Sequence, residues 1–257
     1  MTDAAQRRWR EELLAWAIPP EIEAAAPEPP WGFPVELFRA EVERSDTPSR
    51  DVALEALPEG GSVLDVGCGG GAASLALVPP AARVVGVDST PAMLEEYAAG
   101  AERRGVAHAE VDGAWPDVAP AAGRVDVVVC HHVFYNVADL APFVTALTAA
   151  AERRVVVEMT ASHPLTASAP LWQHFHGIER PSGPTAELAV EALREIGVVP
   201  RMKLWSRPPR DVPREAYVRL NRRRLCLPVD AEPEVDRMMA DPAMSHREVV
   251  TLWWDTA

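Results

Sequence analysis

Gly61-Ser-Val-Leu-Asp-Val-Gly-Cys-Gly-Gly-Gly-Ala-Ala-Ser74 is the stretch on which the reading of this chain turns. Residues 62–66 are a short apolar run with β-branched members, closed by Gly67, Gly69, Gly70 and Gly71, and the Ala-rich residues 72–77 favour a helix. The spacing predicts strand, tight turn and helix, the entry unit of a ligand-binding α/β sheet. Glycines permit turns barred to other residues and bring main-chain N–H groups against a ligand, here at the open N-terminus of the expected helix. Something nucleotide-like is expected across this turn.

Two ligand classes compete for it. From Gly67 the turn reads Gly-x-Gly-x-x-Ala, a loose dinucleotide fingerprint, and Asp88 stands 21 residues on, where a ribose-binding acid belongs. Asp65 separates the two. It lies two residues ahead of Gly67, where a site facing a pyrophosphate has no use for a negative charge and a ligand with an ammonium group does.

The run Val63-Leu-Asp-Val-Gly-Cys-Gly-Gly-Gly71 resembles the first motif of the class I S-adenosylmethionine (SAM) dependent methyltransferases. Val84-Val-Gly-Val-Asp-Ser-Thr-Pro-Ala-Met-Leu94 resembles their second, Asp112-Gly-Ala-Trp-Pro116 their third and Val125-Asp-Val-Val-Val-Cys-His-His-Val-Phe-Tyr-Asn-Val-Ala-Asp139 their fourth. Four motifs in family order are far more specific than a glycine turn. The resemblance implies SAM as cofactor, with Asp65, Gly67, Cys68 and Gly69 around its amino acid end and Asp88 on both ribose hydroxyls. It also implies Ser89 and Met93 beside the adenosine, Asp112, Gly113 and Ala114 at the adenine, and the backbone of His131 beneath the methionine part. Taken singly, Asp88 also suits a helix cap and Asp112 a turn.

Outside these motifs the composition sets limits. The 257 residues are 48% hydrophobic and 25% charged, as in soluble globular proteins, and the net charge of −13 disfavours general nucleic-acid binding. Residues 201–224 run against that trend, with nine basic residues and two acids. Helix 214–225 within them reads as a solvated surface helix or as a recognition element for an anionic group. Three isolated cysteines, Cys68, Cys130 and Cys226, give no disulfide framework or metal spacing, and a cytoplasmic setting is expected. The charged N-terminal residues do not resemble a signal peptide, and no apolar run reaches the ~20 residues of a membrane span.

Residues 3–17 carry Trp9, Leu13 and Trp16 on one helical face, and the prolines at 19, 20, 27, 29 and 30 break regular structure after them. The expected organisation is an N-terminal helical arm over residues 1–45, with Trp31 and Phe33 as lid or staple, and a transferase unit over 46–257. Helices are expected at 48–57, 91–103, 140–151 and 185–196. Strands are expected at 63–66, 83–87, 107–111, 125–130, 154–159, 198–205 and 248–254. Their alternation predicts a Rossmann-like, doubly wound, mostly parallel seven-stranded sheet with an antiparallel last strand. Insertions are expected at about 160–180, roofing the site, and about 207–246. Ligands in such sheets bind at the carboxyl ends of the strands, where Asp65, Asp88, Asp112 and His131 fall.

Five of seven histidines follow the fourth and fifth strands. Some members of the resembled family use a histidine or tyrosine to take a proton from the methyl acceptor, and Tyr135 and His163 are the candidates for that role. His174-x-His176 with Glu158 gives no metal site, since adjacent-but-one helix positions point apart. The leading reading is a SAM-dependent methyltransferase acting on a small molecule. The alternatives are a nicotinamide-linked oxidoreductase and a SAM-binding protein without catalysis. The oligomeric state and the acceptor are not legible.

Overall fold

A computed structural model describes residues 3–31, 46–208, 213–239 and 247–256. Seven strands form one sheet: β1 (Ser62–Val66), β2 (Arg83–Asp88), β3 (Ala107–Asp112), β4 (Val125–His131), β5 (Ala151–Thr160), β6 (Arg201–Arg207) and β7 (Arg247–Asp255). Their order is β3-β2-β1-β4-β5-β7-β6. The first five run parallel, and β7 lies antiparallel between β5 and β6. The central strands are largely apolar because helices cover both faces.

Ten helices are described: α1 (Ala4–Leu14), α2 (Pro20–Ala24), α3 (Pro48–Ala56), α4 (Pro91–Arg104), α5 (Ala119–Ala122), α6 (Leu140–Ala150), α7 (Ala169–His176), α8 (Ala186–Glu195), α9 (Arg214–Arg224) and α10 (Glu232–Met238). Their ends follow local chemistry. Thr47 and Thr185 accept the N–H groups of Arg50 and Leu188 to cap α3 and α8, and Gly105 ends α4 in the left-handed conformation at φ +64°.

Alternate strand residues point to opposite helical layers. Val63, Val84, Val127, Val129 and Val156 pack with Val52 and Ala53 of α3 and Leu94 and Tyr97 of α4. Leu64, Val85, Val128 and Val155 pack with Phe143 and Leu147 of α6, Leu193 of α8 and Trp9 of α1. A smaller cluster unites Ile18 with Leu171 and Trp172 of α7, Val218 of α9 and Val235 of α10. Ile18 of the N-terminal arm and both expected insertions therefore share one apolar centre.

One expected element is missing. Residues 72–77 contain only a 3-10 turn, Leu75–Leu77, instead of an α-helix. Gly69, Gly70 and Gly71 precede this segment and Pro79 and Pro80 close it, leaving too few residues for helix propagation to outweigh nucleation. The arginine-rich helix is exposed or half-buried over much of its length, but one of its arginines is inside. Arg222 of α9 is buried, bonded to Glu28 (2.6 Å) and to the Leu227 carbonyl (3.2 Å). Trp31 is exposed, and Phe33 lies outside the described residues.

Candidate functional site at the carboxyl edge of the sheet

The glycine loop that follows β1 is tied to the sheet by its own backbone. The N–H groups of Gly67 and Cys68 both donate to the Val87 carbonyl, at 2.8 and 3.0 Å, and that of Gly71 donates to Cys68 O. Gly67 has φ +70°, and a Cβ there would stand 2.4 Å from Val133 Cγ2 in the turn after β4. Glycine is required both by conformation and by this close approach. Gly69, at φ +49°, would bring its Cβ within 4 Å of nothing, so it marks the open side of the loop. The expected row of free N–H groups on a helix N-terminus is absent. The helix does not form, and most loop donors are satisfied internally.

Asp65 is buried beneath this loop. Its Oδ2 accepts the Ser74 backbone N–H (3.1 Å) and hydroxyl (2.7 Å). Burial pushes its carboxyl up to about 7, against the pull of both Ser74 bonds. These bonds hold the far end of the loop to β1, so Asp65 shapes the site from below. Cys68 is also buried, and burial raises its thiol above the ordinary range, next to Asp65 and Asp88. It is no nucleophile.

Asp88 ends β2 partly exposed. Its Oδ2 accepts the Gly69 N–H and its Oδ1 the Thr90 N–H, at 3.0 and 2.9 Å. Two oxygens with about four lone-pair directions retain acceptor capacity after these bonds. Ser89 is exposed and Met93 partly so on the first turn of α4. Asp112 stands exposed at the end of β3, in register with Asp88. Gly113 at φ +142° donates its N–H to the Asp88 carbonyl (3.0 Å), and Ala114 beside it is exposed. The strand ends bring Asp88, Ser89, Met93, Asp112, Gly113 and Ala114 to one rim beside Gly69.

Tyr135 and His163, expected as proton acceptors, both lie in the interior. The Tyr135 hydroxyl donates to the Thr160 carbonyl and accepts from the Thr160 hydroxyl at 3.0 Å. Its ring stacks on Trp9, and His163 stacks on Trp16 with centroids 4.4 Å apart. Both side chains are buried in this aromatic group, where desolvation raises Tyr135 and lowers His163 to about 4. Both rings are thereby packed against residues 9–16, and His163 Nδ1 accepts the Leu165 N–H at 3.3 Å.

A charged group that the sequence did not single out for catalysis lies at the same edge. Glu158 of β5 is 1% exposed, in register with His131 of β4. Its Oε1 lies 3.0 Å from His132 Nε2 and 2.5 Å from the Arg207 guanidinium at the end of β6. Burial favours the neutral acid, but His131, His132 and Arg207 outweigh it and hold Glu158 ionised below the usual carboxylate range. Burial lowers His131 to about 4, and its Nε2 has no partner among the described residues. The available signal was an acid interrupting the apolar run of residues 155–159. His174 and His176 diverge, the first bonding Glu234 and the second the Leu225 carbonyl. Among the described residues no three His, Cys, Asp or Glu side chains are grouped to hold a metal ion.

Comparison with known proteins supplies a context for this geometry. Residues 63–153 match a family model described as a methyltransferase domain. The chain is 38% identical over 89 residues to a ubiquinone biosynthesis O-methyltransferase of Methylobacterium sp. (strain 4-46). That match covers 35% of this chain and 36% of the relative, about a third of each. The fold resembles that of the YcgJ protein of Bacillus subtilis, with TM-score 0.55 and 16% identity over 80% of this chain and 97% of that one. It also resembles magnesium protoporphyrin IX methyltransferase of Synechocystis PCC 6803, solved with bound S-adenosylhomocysteine (SAH). That pair has TM-score 0.54 and 15% identity over 84% of each chain.

Proposed function

We propose that this chain, which carries a class I SAM-dependent methyltransferase domain, transfers a methyl group from SAM to a small-molecule acceptor. The observation that carries the reading is the carboxylate of Asp88 on Gly69 N–H, beside a loop whose other N–H groups are largely satisfied by the sheet. A dinucleotide site also places an acid on the ribose at this position, but it needs backbone donors on a helix N-terminus aimed at a pyrophosphate, and most N–H groups of this loop are satisfied internally, so the loop is not built for one. A nucleoside carrying a cationic amino acid arm suits it. This disfavours the nicotinamide-linked alternative.

In this reading Asp88 accepts the ribose hydroxyls, and Ser89 and Met93 flank the nucleoside. Asp112 accepts from the adenine amino group, with Gly113 and Ala114 along the ring. Gly67, Cys68 and Gly69 line the amino acid end, Asp65 holds the loop from beneath, and His131 contributes backbone under the methionine part. When bound, SAM supplies a methyl group on a sulfonium, open to in-line attack. The protein contributes alignment and exclusion of water, effects worth up to about 7–11 kcal/mol of barrier when reactants are well oriented. Residues 46–257 form the transferase unit in this reading, with residues 1–45 as its N-terminal arm. A small acceptor, a cytoplasmic setting and no nucleic-acid partner agree with the acidic composition. Among the described residues no helix is long and apolar enough to cross a membrane.

Thermal unfolding tests the cofactor class. A ligand at a hundred times its Kd stabilises the native state by about 2.7 kcal/mol, a shift of a few degrees for a domain of this size. SAH at 1 mM should raise the midpoint, and NAD at 1 mM should leave it unchanged. The opposite pattern would return the glycine loop to a dinucleotide role.

A further inference from the structure

The turn after β4 carries a backbone feature that packing alone does not demand. His132 sits at φ +61°, a left-handed conformation uncommon for a residue with a side chain. Such conformations persist where surrounding contacts enforce them, and they cluster at functional sites. Here the enforcing contacts are the His132 N–H on the Glu158 carbonyl at 2.7 Å and the His132 Nε2 on Glu158 Oε1 at 3.0 Å. The same glutamate therefore grips the residue by backbone and by ring.

The ring chemistry follows from the partner. Glu158 is an ionised carboxylate and only accepts, so Nε2 carries the proton and donates to Oε1. The lone pair then lies on the other ring nitrogen, Nδ1. Arg207 Nη2 also bonds Glu158 Oε1, at 2.5 Å, and its Nη1 lies 3.4 Å from His132 Nε2. The guanidinium thus fixes the carboxylate while crowding the face of the ring that is already protonated. The groups that face His132 are His131 from β4, Glu158 from β5 and Arg207 from β6. His132 is 27% exposed, while Glu158 is sealed. Val133, the next residue, is the one that a Cβ on Gly67 would strike, so the His132 turn abuts the cofactor loop.

We propose that His132 takes the proton from a hydroxyl-bearing methyl acceptor, with Glu158 as the residue that positions it and Arg207 as the clamp on Glu158. The proposal rests on the methyl-transfer reading above. The acceptor's O–H bond breaks with its proton going to His132 Nδ1. The O–CH3 bond forms as the CH3–S bond breaks, and that electron pair remains on sulfur. The imidazolium so formed is stabilised by the Glu158 carboxylate. Positioned acid–base groups of this kind contribute about 10²–10⁴-fold in rate.

The test has two arms, both preceded by a calorimetric titration with SAH. Absence of SAH binding would remove the methyl-transfer reading itself, a failure distinct from those below. In the first arm, nitrogen-15 spectra of the histidine rings are recorded in the SAH complex between pH 6 and 9, with His132 assigned from His132→Gln. The expected spectrum above the ring's titration shows the Nε2–H tautomer, shifting toward the Nδ1–H form in Glu158→Gln. An Nδ1–H tautomer in the wild type, or no response to E158Q, overturns the proposal. In the second arm, SAH formation is followed with SAM and either phenol or 4-nitrophenol, which is ionised near neutral pH and needs no base. H132Q should lose at least a hundred-fold in kcat toward phenol and much less toward 4-nitrophenol. Equal losses on both, or no wild-type turnover of either while SAH binds, overturn it.

Discussion

Gly67 shows how tightly single residues constrain the site. An alanine there must adopt a left-handed backbone, at a cost of about 1–2 kcal/mol, and must displace Val133, at about 1–3 kcal/mol more. Because Val133 belongs to the turn after β4, the damage reaches both the glycine loop and the His132 turn. Gly67→Ala is expected to lower stability in urea unfolding and to weaken SAH binding at least tenfold. Unaltered affinity would mean that the loop is not part of the cofactor site. At this scale the sequence was informative where backbone conformation dictates the residue, as at Gly67 and Gly113. It was silent on side-chain partners. Tyr135 and His163 have the chemistry of bases, but Trp9 and Trp16, more than a hundred positions away in the chain, stack on them. Glu158 reads locally as one acid in a strand, and its role comes from His132 in the turn after β4 and Arg207 at the end of β6.

At the scale of elements, helix α1 is the clearest case of a segment held by tertiary contacts. Trp9 is fully buried with its Nε1 donating to Val137 O, and Trp16 Nε1 donates to Gly183 O. The first N–H groups of α1, those of Ala5 and Gln6, are satisfied by the Glu195 carboxylate at the end of α8. Trp9→Ala should destabilise the protein by about 3–5 kcal/mol, read as a lower urea midpoint. A loss below about 1 kcal/mol would show that α1 docks loosely. The helix's existence was legible from its apolar spacing, and its docking site was not, because nothing local identifies Glu195 or Val137 as partners. The missing helix after Gly71 is the converse. Alanine propensity favoured it, and the glycines and prolines on either side left it too short.

For the whole molecule, the alternation of strands and helices gave the sheet and its antiparallel last strand, because burial on two faces forces the pattern. The shared packing of the N-terminal arm with both insertions was invisible, since it joins segments roughly 150–215 positions apart. Global stability should also report the buried titratable groups. Asp65 is raised from 3.8 to about 7, so the native state binds the extra proton and this contribution declines as pH rises from about 4 to 7. His131 and His163 are lowered from 6.5 to about 4, so the unfolded state binds more protons there and their contribution grows as pH rises over nearly the same range. Each tenfold change in proton affinity corresponds to about 1.4 kcal/mol. The two effects oppose, so Asp65→Asn, which retains an acceptor for Ser74, should make stability rise more steeply between pH 4 and 7 than in the wild type. Parallel curves of urea midpoint against pH would contradict the buried position of Asp65.

The proposed SAM site at the carboxyl ends of β1, β2 and β4 turns on Asp88. Calorimetric titration of SAH into the wild type and Asp88→Ala tests it most directly, with Asp88→Asn as the variant that keeps an acceptor for Gly69 N–H. Micromolar binding is expected for the wild type, with a loss of at least tenfold in Asp88→Ala and an intermediate loss in Asp88→Asn. Equal affinity for all three proteins, or no binding to the wild type, would contradict it.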